Sequence, residues 1–87
     1  MTERDEAILL LKQVRAISRS SVGSRLPLTK PTLSFRTSTD EKWVVAMELW
    51  HVANDFNQNQ GEPAIADIVR LMSRLKPLYA IAEEEID

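Results

Sequence analysis

The sequence predicts an all-α fold: a small bundle of three to four helices, with a long extended Ser/Thr/Pro-containing connector after helix 1. Three observations carry that expectation. Apolar residues recur at helical spacing in three stretches, near residues 2–18, 40–57 and 63–76. Residues that start or break helices bound these stretches: Thr2, Ser38, Pro63 and Pro77. No Asn-Gly or Asp-Gly turn joins two alternating runs, so a β-hairpin has weak support. Hydrophobic residues make up 44% and charged residues 28% of the 87. That apolar share suffices for one packed core and argues against wholesale disorder, so a single helical domain over 1–87 is expected.

The first helix is expected over 2–18. Thr2 can cap it, and Glu3, Asp5 and Glu6 occupy the first turn, where the helix dipole favours negative charge. Ala7, Leu10, Leu11, Val14 and Ile17 form its apolar stripe. Arg4, Lys12, Arg15 and Arg19 fall together on another side, separated by Ile8. As an ordinary amphipathic helix, this side is a solvated face.

Residues 20–38 follow a different pattern. Pro27, Pro31 and Gly23 oppose a long helix, and serine and threonine are dense. Leu26 and Leu28, then Leu33 and Phe35, are spaced by two, as in extended chain. The expectation is a strap pinned to the bundle by these side chains. Connectors this long are uncommon in compact domains and tend to carry function.

The second helix, DEKWVVAMELWHVANDF and onward to about Asn57, is the expected centre. Its apolar arc spans roughly 220° at helical pitch. Trp43, Met47 and Trp50 make one stripe, and Val45, Leu49, Val52 and Phe56 another, with Ala46 and Ala53 between them. Both tryptophans are therefore expected in the core. Ser38 with Glu41 fits a capping box. Asn-Gln-Asn-Gln-Gly then reads as a polar loop.

Pro63 suits the first turn of the third helix, expected to run to about Lys76. Ile65, Ile68, Met72 and Leu75 form its stripe, flanked by Val69 and Leu71. Pro77 should break or sharply kink it, leaving a short fourth helix over 77–85 with Leu78, Ile81, Ala82 and Ile86 inward. Glu83, Glu84 and Glu85 would then sit at a helix C-terminus, where the dipole disfavours them, and read as a frayed tail.

Little in the chain points to catalysis. Without cysteine there is no thiolate nucleophile, disulfide or cysteine-ligated metal site. Two glycines cannot build a phosphate cradle, and one histidine gives no convincing acid–base pair. Glu48, His51 and Asp55 share the polar arc of the second helix, but a carboxylate di-metal site needs a second Glu-x-x-His pair. The expectation is a non-enzyme with no metal, cofactor or small-molecule substrate. No stretch resembles a signal peptide or a membrane span, which fits a cytoplasmic protein.

Charge distribution gives the one functional lean. The net charge is −2, yet residues 7–39 hold no acidic residue and six cations: Lys12, Arg15, Arg19, Arg25, Lys30 and Arg36. Residues 40–87 hold ten acidic residues against Lys42, Arg70, Arg74 and Lys76. Clustered cations on an accessible surface suffice for contact with a nucleic-acid backbone, whether DNA or RNA, without sequence readout. The expected function is a small non-catalytic subunit contacting nucleic acid through those six residues, within a larger assembly of protein subunits. Small subunits of CRISPR effector complexes are an analogy in size and helicity, with no shared motif. The alternative is a protein–protein adaptor using a helical groove or the acidic tail. Glu3, Asp5 and Glu6 weaken a membrane-surface role for helix 1.

Overall fold

The computed structural model of the chain describes residues 2–19, 28–30, 40–59 and 63–86. They form four helices, α1 (Glu3–Arg19), α2 (Asp40–Asn59), α3 (Pro63–Leu78) and α4 (Glu83–Ile86), and no strand among the described residues. Ser38 and most of the expected strap lie outside them, including Leu26, Leu33 and Phe35. No helix among the described residues is long and apolar enough to cross a membrane.

The start of α1 follows from its first residues. The Thr2 hydroxyl accepts the Asp5 amide at 3.1 Å, and the Asp5 carboxylate accepts the Thr2 amide at 3.2 Å. This reciprocal pair satisfies two amide donors at the helix start. The whole expected stripe, Ala7, Leu10, Leu11, Val14 and Ile17, is buried. Helical spacing alone therefore fixes which face of α1 turns inward.

α2 packs chiefly on α3 and also on α1. Its buried residues are Val45, Ala46, Leu49 and Ala53. The expectation for the tryptophans needs correction. Trp43, Met47, Trp50 and Phe56 are only half-buried, and Val44 is 55% exposed. Both neighbouring helices press on the Val45–Leu49 side, so the stripe of large side chains lies at the core margin. Trp43, Trp50 and Phe56 still pack against the core there. The Trp50 indole N–H is buried there without a hydrogen-bond partner among the described residues, so this margin position leaves one polar group unsatisfied. Leu28 packs on the same core, as the strap reading requires of it. Next to it, Thr29 and Gln13 exchange two hydrogen bonds, at 2.8 and 3.1 Å. Lys30 places its ammonium 5.4 Å from the Trp50 ring centroid.

On α3 the inward face is Ile68, Leu71, Met72 and Leu75. Leu71 belongs to this face rather than flanking it. Ile65, at the N-terminal end of the stripe, is 40% exposed, and Val69 is 58% exposed. Four residues at i, i+3, i+4 and i+7 already complete a buried face, so neither is needed to close the core.

The expected break at Pro77 occurs a few residues later. α3 continues through Pro77 to Leu78. A proline in the last turn removes one donor at an end the helix is about to reach, which costs far less than one in the middle. The chain reverses at Tyr79 and Ala80. The Ile81 amide donates to the Lys76 carbonyl at 2.9 Å and the Ala80 amide to the Pro77 carbonyl at 3.3 Å. Ala80 adopts φ of 52°. These features together are a Schellman cap with alanine where glycine is usual. Leu75 and Ile81 are both buried beside the cap. Of the side chains expected inward, Ile81 and Ile86 are buried, Leu78 is half-buried against the core and Ala82 is exposed.

The acidic run is therefore not a frayed tail at a helix C-terminus. Glu83, Glu84 and Glu85 are the first turn of α4. The Glu85 carboxylate accepts the Ala82 amide at 2.8 Å, capping that turn. Arg4 makes the closure across the fold. Its Nε donates to the Tyr79 carbonyl at 3.0 Å, and its Nη2 to the Ala80 carbonyl at 3.1 Å and the Glu85 carboxylate at 2.8 Å. Arg4 thus leaves the basic face expected of it and holds the chain reversal instead. Tyr79, itself buried, donates its hydroxyl to Glu3 and carries the Lys42 ammonium 4.7 Å from its ring centroid.

Candidate functional site

With the α1 apolar stripe turned inward, its C-terminal half presents Lys12, Arg15, Ala16 and Arg19 outward. Lys12, Ala16 and Arg19 are exposed and Arg15 is half-buried. Spacing of three and four residues puts the three cations on one face. Arg19 in the last turn also suits the negative end of the helix dipole.

Two shallow grooves meet at Arg15 and Arg19. One runs between α1 and α3, bounded by Arg15, Ser18 and Arg19 on one side and Met72, Ser73 and Lys76 on the other. The second lies between α1 and α4, lined by Lys12, Arg15, Ala16, Arg19 and Ile86. The Ser18 hydroxyl donates to the Arg15 carbonyl at 2.9 Å, so it is turned back onto its own helix. Among the described residues, neither Lys12 nor Arg19 is ion-paired.

Glu83 lines neither groove but bridges Arg15 and Lys76, two of the residues that do. One of its carboxylate oxygens accepts from Arg15 and the other from Lys76. The Arg15 guanidinium, and beside it the Lys76 ammonium, hold its carboxyl well below an ordinary glutamate, at about 2. Glu85 is also lowered, first by the Ala82 amide and then by Arg4. Asp5 is lowered by the Thr2 amide and hydroxyl. All three carboxylates stay ionised at neutral pH.

The six cations singled out from the sequence separate into three groups. Lys12, Arg15 and Arg19 share one surface. Lys30 is exposed but sits over Trp50 and lines neither groove. Arg25 and Arg36 lie outside the described residues. Lys76 completes the groove opposite Arg15 and was not among the six. Its signal was available: Pro77 marks the last turn of α3, so Lys76 lies near the end of that helix. Arg70 and Arg74 pair with Asp67 at 3.5 Å and Glu41 at 3.7 Å. These contacts are exposed and contribute about 0–1 kcal/mol each.

Glu48, His51 and Asp55 are exposed on α2, where the Trp50 and His51 rings meet edge to face at 5.0 Å. Among the described residues, no three His, Cys, Asp or Glu side chains come together as a metal site. Comparison with protein-family models, curated proteins and solved structures finds no match to the chain.

Proposed function

We propose that this chain is a small non-catalytic helical subunit that contacts nucleic-acid backbone, working in the cytoplasm within a larger assembly. The observation supporting this most is the surface formed by Lys12, Arg15 and Arg19 with Lys76 across the groove. It gathers Arg15, Arg19 and Lys76 along the α1–α3 groove, with Lys12 in the adjoining α1–α4 groove, and leaves Lys12 and Arg19 without carboxylate partners among the described residues. A phosphodiester backbone asks for little more, since each neutralised phosphate releases condensed counterions. The grooves are shallow and open, which suits a strand laid across them rather than an enclosed small molecule. Base-specific contacts form no part of the proposal. A gel shift with random single- and double-stranded DNA and RNA, at low and moderate salt, tests it: a shift that fades with salt is expected.

The adaptor reading keeps one specific observation in its favour, the exposed side chains Val44, Ile65 and Val69. Its acidic-tail version loses support because Glu83 and Glu85 are engaged within the fold. A protein partner lost on Val69→Asp, with no salt-linked nucleic-acid binding, would favour the adaptor.

A further inference from the structure

We propose that Arg15 and Lys76 form a phosphate-binding pair that the Glu83 carboxylate occupies in the free chain and that a backbone phosphate displaces. This rests on the nucleic-acid reading and extends it to the regulation of the same surface.

The geometry is that of a filled anion site. Arg15 comes from α1 and Lys76 from the last turn of α3, so two separate elements aim cations at one point. Each takes a different oxygen of the same carboxylate, as two cations bridged by one phosphate would. Burial differs sharply between the partners. The Arg15 and Lys76 side chains are 16% and 21% exposed, whereas Glu83 is 55% exposed. The cations are therefore held by the fold, and the anion is the replaceable member.

α4 does not depend on Glu83 alone. Ile86 is buried in the core, and Glu85 is bonded to Arg4 and to the Ala82 amide. The Glu83 side chain can swing out while the turn that carries it stays docked. Flanking Lys12 and Arg19 supply the attraction that brings a polyanion to this point, and the incoming phosphate then competes with a carboxylate whose side chain is solvent-exposed. Glu83 thus selects for polyanions: an isolated anion must outcompete a tethered one, while a strand gains neighbouring contacts as it does so. Glu84, next in sequence, is exposed and makes no such contact, so it carries the same charge without the blocking role.

The test is an anisotropy titration of a labelled random-sequence RNA, and of DNA of equal length, with the full chain. Glu83→Gln keeps the size of the side chain and removes its charge. It should bind on the order of fivefold tighter than wild type at about 0.1 M salt, because the phosphate no longer has to displace a carboxylate. Glu84→Gln should change affinity less than about twofold, since its exposed charge is screened and pairs with neither Arg15 nor Lys76. Adding Lys76→Gln to Glu83→Gln should erase the gain. Lys76→Gln alone should weaken binding in a chain whose α4 turn is untouched, which keeps the test decisive if Glu83→Gln melts early. Binding by Glu83→Gln no tighter than a binding wild type overturns the blocking role and leaves the nucleic-acid reading standing. An equal gain in Glu84→Gln, or a gain that survives Lys76→Gln, overturns it too. Failure of both wild type and Glu83→Gln to bind overturns the nucleic-acid reading and the site with it.

Discussion

Ala80→Gly should stabilise this protein. Ala80 is the left-handed residue of the cap that ends α3, with φ of 52°. For an L-residue with a Cβ, that conformation costs roughly 1–2 kcal/mol. Glycine removes the clash but adds backbone freedom to the unfolded chain, returning about 0.4–1 kcal/mol. The net gain is about 0.5–1 kcal/mol, or on the order of 2–8 °C in melting temperature for a domain of this size. Ala80→Val should act in the opposite direction, because a β-branched side chain fits the left-handed region worse still. Thermal melts of the three proteins by circular dichroism are the assay. A melting temperature lowered by Ala80→Gly, or unchanged by Ala80→Val, would show that the chain does not reverse at Ala80. The placement of α4, and of Glu83 beside Arg15, would then lose its basis.

Other consequences follow from the same structure. Leu49→Ala removes a fully buried side chain and should cost about 2–5 kcal/mol, a large share of a typical stability of roughly 5–15 kcal/mol. Trp50→Ala should cost less than the ~3–5 kcal/mol of a fully buried aromatic, because its ring is half-buried; equal or reversed losses in denaturant melts would contradict the assignment of the α2 faces. The carboxylate of Glu83 is held at about 2, below its ordinary 4.5. Its stabilising contribution is complete above the ordinary value and is lost as pH falls through the folded one. The fall in melting temperature on acidification across that window should be smaller in Glu83→Gln, and an identical fall would exclude the ion pairs as its source.

How far the sequence led depends on whether each feature is local. The α1 stripe was legible because Ala7 to Ile17 follow helical spacing and need no knowledge of the partner. Thr2 and Pro63 marked helix starts through chemistry confined to one turn. On α2 the apolar arc was too wide to show which part turns inward, and α1 and α3 decided in favour of Val45 and Leu49 over Trp43 and Trp50. Ala80 gave no warning of a left-handed cap, since alanine is the best helix former. The charge asymmetry was plain, but its partial cancellation was not. Arg15 and Glu83 are 68 residues apart and Arg4 and Glu85 are 81 apart. Only the reversal after α3 brings these pairs together. The packing of α3 beside α1 adds Lys76 to the basic surface, and the reversal brings Glu83 onto it.

The most direct test of backbone contact is the salt dependence of nucleic-acid binding in wild type and in a variant with Lys12 and Arg19 reversed to glutamate. Both residues are exposed and off the apolar stripe, so folding should persist. Log affinity of the wild type should fall with log salt at a slope of roughly −0.7 to −0.9 per phosphate engaged, and the variant should bind far more weakly with a slope flatter by nearly one unit per lost contact. Absence of binding by wild type and by Glu83→Gln to random DNA and RNA, at about 50 mM salt and tens of micromolar protein, would contradict the proposed function, because backbone binders register under those conditions.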